Sequence, residues 1–176
     1  TPCVPEKMDH VDVDGISYRM LWYDFSMIDH LTVEKLYRRP LLFSRFIERA
    51  VPMLQGYDVI IAHSFTGALI AYEVRKRYGI PYYVTWHGSD IHTHPVRNKL
   101  IRKHTRMVME AATCNFFVSK ALMKASDRIT ANARKEVLYN GVGEEFVKLD
   151  KSPVAKAKEG FGLSADEKVV AFAGNL

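Results

Sequence analysis

Two short segments of this chain carry side chains able to bind or transform a polar ligand. In Trp86-His87-Gly88-Ser89-Asp90 an imidazole and a carboxylate flank two small residues. In Ala62-His63-Ser64-Phe65-Thr66-Gly67 an imidazole and two hydroxyls precede a glycine. An imidazole exchanges protons near neutral pH or hydrogen-bonds a ligand hydroxyl, and a carboxylate accepts from one. Gly88 allows close approach of backbone to a ligand. His87 and Asp90 are therefore the candidate catalytic residues. His63, Ser64, Gly88 and Ser89 are candidate ligand contacts. The competing reading is local: Asp90 or Ser89 caps the following turn, His87 satisfies a backbone group, and Ser64 or Thr66 caps a helix.

Both segments follow a β-branched or aromatic run, at 58–62 and 82–86, and in a wound α/β sheet ligands gather beyond the carboxyl ends of strands. Further runs at 16–21, 115–119, 136–139 and 168–173 read as strands. Helical spacing recurs between them. Over 66–78 it brings Leu69, Ile70, Val74 and Tyr78 together, with Arg75, Lys76 and Arg77 in the last turn and Gly79 as the stop. Over 96–112, Leu100, Ile101, Met107, Val108 and Ala111 form one face, and Arg97, Lys99, Arg102, Lys103 and Arg106 the other. An earlier helix is expected over 41–54, strained at its end by Pro52. Strands alternating with such helices imply parallel βαβ units and a Rossmann-like α/β sheet with helices on both faces.

The order strand, sharp turn, helix around Ser64 also fits a hydrolase nucleophile elbow, but Ala62 and Thr66 stand where that turn uses glycines. His92 and His94 add a His-x-His pair, though no further ligands at matching spacing accompany them, so no metal is expected. Asn140-Gly141 ends the run at 136–139 in what is by itself an ordinary turn; its place before the expected linker makes it a candidate hinge, and it is a candidate substrate contact. The basic face over 96–112 suits solvent, an anionic membrane surface or a phosphorylated acceptor.

A hydrophobic fraction of 48% and a charged fraction of 26% are those of an ordinary globular protein. No apolar run is long enough to cross a bilayer. Cys3 and Cys114 are too few for a disulfide framework, which suits the reducing cytoplasm. The net charge of +5 fits an anionic ligand, but no nucleic-acid-binding signature accompanies it. Residues 150–167, with Lys-Ser-Pro and Gly-Phe-Gly pieces, read as a linker. The strand expected over 168–173 then opens a second domain that is cut short.

Taken in order, the segments at 58–67, 85–91, 117–122, 137–143 and 168–176 resemble the N-terminal half of retaining GT-B glycosyltransferases of polysaccharide and lipopolysaccharide synthesis. Trp86-His87-Gly88-Ser89-Asp90 and Tyr139-Asn140-Gly141-Val142 carry most of the likeness. The resemblance implies an acceptor-side Rossmann-like domain over 1–149, a linker over 150–167, and the first strand of a donor-binding domain over 168–176. It implies a nucleotide-sugar donor as substrate, no cofactor, and a saccharide or lipid-linked acceptor. It places the reaction in the cytoplasm, at or near the inner membrane face. His87 matches the family histidine beside the donor sugar. The family's opening strand, Gly-rich loop and helix, and its paired glutamates, find no counterpart, so these residues alone are expected not to turn over. The rivals are an α/β-hydrolase using Ser64 and a non-catalytic sugar-binding module.

Overall fold

The structure, a computed structural model, describes residues 10–21, 39–144 and 151–170. It divides into two compact units, Thr1–Tyr139 and Asn140–Leu176. In the first, β1 (His10–Val13) and β2 (Ile16–Arg19) form an antiparallel hairpin. The turn between them is Asp14-Gly15, with φ of 51° and 76°. Two successive positive φ angles match the twist of a tight hairpin, and Asp-Gly tolerates them best. The run at 16–21 is thus a hairpin strand and not a member of the parallel sheet.

The parallel sheet has four strands in chain order: β3 (Ile60–His63), β4 (Tyr82–Trp86), β5 (Cys114–Phe117) and β6 (Lys135–Val137). It is flanked by helices, an α/β Rossmann-like arrangement. Register pairs Ala62 with Val84 and His63 with Thr85, and further along Val84 with Asn115 and Trp86 with Phe117. Side chains alternate across the pleat, so Ala62, Val84, Trp86, Asn115 and Phe117 share the side on which the core lies. On the opposite side Tyr83 stacks on Phe116 while Ile61 is 67% exposed.

Helix α1 (Arg39–Ala50) runs into a 3₁₀ turn over Val51–Leu54. Pro52, which lacks an N–H and is tolerated in a first turn, accounts for the change of pitch within the helix expected over 41–54. Helix α2 (Ser64–Tyr78) ends where Gly79 takes φ 74° and donates to the Arg75 carbonyl. That left-handed position is open to glycine at little strain.

The single helix expected over 96–112 is instead two, preceded by a third. Helix α3 spans Ser89–His92, α4 His94–Arg97 and α5 Lys99–Ala111. Asn98 is extended, and its side chain accepts from the N–H groups of Leu100 and Ile101, at 2.9 and 3.1 Å. A side chain that caps so well starts a new helix and breaks the old one. Pro95 is buried in α4 rather than in an exposed loop. On α5 the buried stripe is Ile101, Thr105, Val108 and Met109, and Leu100 is exposed. Thr105 turns inward because its hydroxyl donates to the Ile101 carbonyl.

Ala68, Leu69 and Val74 of α2 join Val84 and Trp86 of β4 and Val108 of α5 in one apolar cluster. Tyr82 is buried there, its hydroxyl donating to the Val108 carbonyl at 2.6 Å. Burial pushes that phenol well above its ordinary pKa. The Cys114 thiol is likewise buried and raised, first by desolvation, so it is a packing group and not a reactive one. Helix α6 (Lys120–Ser126) follows β5, with the Ser119 hydroxyl accepting from Leu122 N–H.

In the second unit, α7 (Lys151–Gly160) occupies most of the segment read as a linker. Pro153 lies in its first turn, where a missing N–H does no harm, and Ala155 and Ala157 favour the helix. Lys158 Nζ donates to the carbonyls of Ala165 and Glu167 and fastens the turn that follows. Residues 168–170 form no strand, with Val170 96% exposed; the rest of the strand expected over 168–173 lies outside the described residues.

Candidate active site

Two strand-to-helix turns build the site. At the first, His63 ends β3 in an extended conformation and Ser64 opens α2 at φ 60°. A residue with a Cβ pays roughly 1–2 kcal/mol to stand there. Strain of this kind persists where surrounding packing over-determines the turn, and it fixes what the side chain faces. Ser64→Gly should therefore be neutral or stabilising, by up to about 1 kcal/mol in a urea melt, although glycine in an unstrained helix costs roughly 0.5–1. A loss of that ordinary size would show that the turn is relaxed.

At the second turn β4 ends at the buried Trp86, and His87 emerges into solvent. Gly88 follows with φ 155° and ψ −85°, and a Cβ there would stand 3.4 Å from His92 Nε2. The Asp90 carboxylate, only 5% exposed, accepts from Gly88 N–H at 2.8 Å and from His87 N–H at 3.4 Å. Both oxygens thus hold the backbone of the turn. The carbonyl of Gly88 in turn accepts from Ile91 and His92 N–H.

Parallel register brings the two turns side by side. His63 pairs with Thr85, so His63 and His87 fall on the same face, one diagonal step apart. The rings meet: His63 Nδ1 and His87 Nε2 are 3.0 Å apart, and the centroids are 5.3 Å apart with 25° between planes. One nitrogen must donate and the other accept, so this contact fixes a tautomer pair and leaves His87 Nδ1 for a ligand.

A cleft of about 290 Å³ opens beside the pair, lined by Ser64, Thr66, His87, Gly88, Ser89 and Asp90. The residues singled out on the two turns are thus gathered at the carboxyl edge of one sheet. His94 also lines the cleft, from α4. Sequence spacing gave it only as half of a His-x-His pair. The signal that could have placed it is Pro95, a residue common at the first turn of a helix. His63 supports His87 from the neighbouring strand. Asn140 and Gly141 are exposed and belong to the second unit.

Other chemistry fits less well. Among the described residues no group of three or more His, Cys, Asp or Glu side chains could hold a metal ion. For a hydrolase triad the Asp90 carboxylate would have to orient a histidine, but it is occupied by backbone N–H groups, and His87 Nε2 meets His63 rather than Ser64.

The sequence pattern of Glycosyltransferase Family 4 matches residues 23–146, over two thirds of the chain. The chain belongs to Glycosyltransferase Family 4. Among solved structures, this Family 4 chain is similar to sucrose-phosphate synthase from Thermosynechococcus elongatus, at 17% identity and a TM-score of 0.65. That match covers 93% of this chain and 41% of the synthase. HepE from Anabaena, crystallised with UDP and glucose, matches at 18% identity and a TM-score of 0.53, over 67% of this chain and 32% of its own. At such identities the likeness is one of fold, that of the Rossmann-like GT-B domain. The chain spans less than half the length of either protein. No curated protein sequence matches it.

Proposed function

We propose that this Family 4 chain forms the acceptor-side part, over residues 1–149, of a glycosyltransferase. In the intact enzyme it moves a sugar from a nucleotide-sugar donor to a saccharide or lipid-linked acceptor, with retention at the anomeric carbon. The observation that carries this reading is the convergence of His87, Ser64 and the Gly88 turn on one cleft at the sheet's carboxyl edge. HepE's complex with UDP and glucose supports a nucleotide-sugar donor.

The chemistry suits these groups. Departure of a nucleoside diphosphate builds positive charge at the anomeric carbon, and fixed dipoles around it lower the barrier without reorganising. His87, its ring held through Nε2 by His63, presents Nδ1 to a sugar hydroxyl or to the donor sugar. Asp90 acts through the turn it fastens, holding His87 and Gly88 in place. Asn140 and Gly141, singled out from the sequence, are the further substrate contacts of this proposal. No cofactor is needed for this transfer. No helix among the described residues is long and apolar enough to cross a membrane. In this proposal the protein works in the cytoplasm, peripheral to the inner membrane face, in polysaccharide synthesis.

The test is to incubate the intact enzyme with UDP- and GDP-sugars and candidate acceptors, and to follow nucleoside diphosphate release and the product's anomeric signal by NMR. Product of the donor's own anomeric configuration is expected. An inverted product would overturn retention. Ester hydrolysis abolished by Ser64→Ala, without sugar transfer, would establish the hydrolase instead.

A further inference from the structure

Helix α5 and the segment that follows α6 enclose a groove of about 460 Å³. Lys99, Arg102, Lys103 and Arg106 line it from one helical face, and Asp127 and Arg128 from across. It shares no residue with the cleft at His87.

Little among the described residues offsets these five cations. The Asp127 carboxylate is taken by Lys135 Nζ at 2.5 Å. Glu110 pairs with Arg106 Nε at 3.0 Å and accepts the Thr130 hydroxyl at 2.7 Å. Those partners, the hydroxyl first, hold its carboxyl below the ordinary range, so it stays charged but neutralises Arg106 alone. The Arg102 guanidinium donates to the Arg128 carbonyl, a neutral group, which fixes it in position without cancelling its charge. Lys99, Lys103 and the Arg128 guanidinium meet no carboxylate among the described residues.

An apolar trough of about 370 Å³ adjoins the groove, with Ile91, Pro95, Val96 and Ala125 among its walls; Arg102, Arg128 and Ile129 line both. A dry wall beside clustered cations strengthens their field. Among the described residues no aromatic side chain lines the groove, as stacking of nucleic-acid bases would require. Two guanidinium forks with two flexible ammonium groups suit a compact, multiply charged oxyanion.

We propose that this groove binds a phosphate group, carried either by a soluble phosphorylated ligand or by a lipid headgroup. The assignment rests on the groove alone and is independent of the transfer reading.

The experiment uses the intact protein at low salt with two probes: pyrophosphate by calorimetry, and phosphatidylcholine vesicles doped with phosphatidic acid by co-sedimentation. The first variant is Lys99→Glu with Lys103→Glu, two side chains that hold no hydrogen bond among the described residues, so the melting curve should not move. The control is Lys76→Glu with Arg77→Glu on α2, an equal change of net charge away from the groove. Binding should fall about tenfold or more in the groove variant and with added salt, and be kept in the control. Binding of pyrophosphate alone identifies a soluble phosphorylated ligand; binding of vesicles alone identifies a lipid phosphate. If neither probe binds, or both double variants weaken binding equally, the proposal is overturned.

Discussion

His87→Ala in the intact enzyme should lower sugar transfer by roughly 10- to 1000-fold, the effect of removing one placed polar group from a charge-developing transition state. The loss should appear chiefly in kcat, because the dipole acts on charge absent from the bound substrate. Stability should hardly change. The ring is exposed at the mouth of the cleft, and among the described residues its one side-chain hydrogen bond is to His63, itself exposed. The backbone of the turn is held by Asp90 and does not need the imidazole. Activity at the level of the unsubstituted enzyme would make His87 a bystander. An unfolded variant would make it a structural residue, and the site would then have to be sought elsewhere on the sheet edge.

Trp86→Ala should remove about 3–5 kcal/mol of stability, the usual range for truncating a large buried aromatic. Trp86 is fully buried, and its Nε1–H donates to Asn115 Oδ1 at 2.9 Å. Asn115 is equally buried, and its Nδ2 donates to the carbonyls of Met109 and Arg134, at 2.9 and 3.1 Å. One indole thus completes a network tying β4, β5, the end of α5 and the approach to β6. Truncation opens a cavity and leaves the Asn115 oxygen without its donor, a second penalty of about 1–3 kcal/mol if no water replaces it. Since a domain is stable by only about 5–15 kcal/mol in all, the variant should be unfolded or close to it at physiological temperature. Trp86→Phe separates the two parts: it fills most of the space and loses only the hydrogen bond. Urea midpoints for the pair measure both. A Trp86→Ala loss below about 1 kcal/mol would contradict the packing described.

The sequence was most readable where local pattern and burial agree. The run at 82–86 is a strand of those limits, because Tyr82, Val84 and Trp86 face the core while β-branched and aromatic neighbours fill the other side. Gly79 ends α2 as its position after three basic residues implies. Errors fell where a single side chain overrides periodicity. Asn98 caps a helix that its neighbours' spacing would continue, and Ser-Pro at 152–153 reads as a breaker although a first turn tolerates it. The Asp14-Gly15 hairpin was legible in principle, since Asp-Gly between alternating residues is a strong hairpin signal, but a reading tuned to βαβ units passes over it.

The sequence by itself determined the α/β class, the two polar turns at strand ends and the basic face of α5, because each follows from local composition and periodicity. It could not decide that His63 and His87 touch. Those residues lie 24 positions apart, and only the register of β3 against β4 puts them on one face of the pleat. It left Asp90 open between a catalytic residue and a local cap, and tertiary structure sets that carboxylate against the backbone N–H groups of its own turn. Nor could it show that Arg128 joins Arg102 across a groove, since α5 and the segment after α6 meet only when both close over the same sheet. Pairings of that kind depend on strand order and helix packing, and no short stretch of chain contains them.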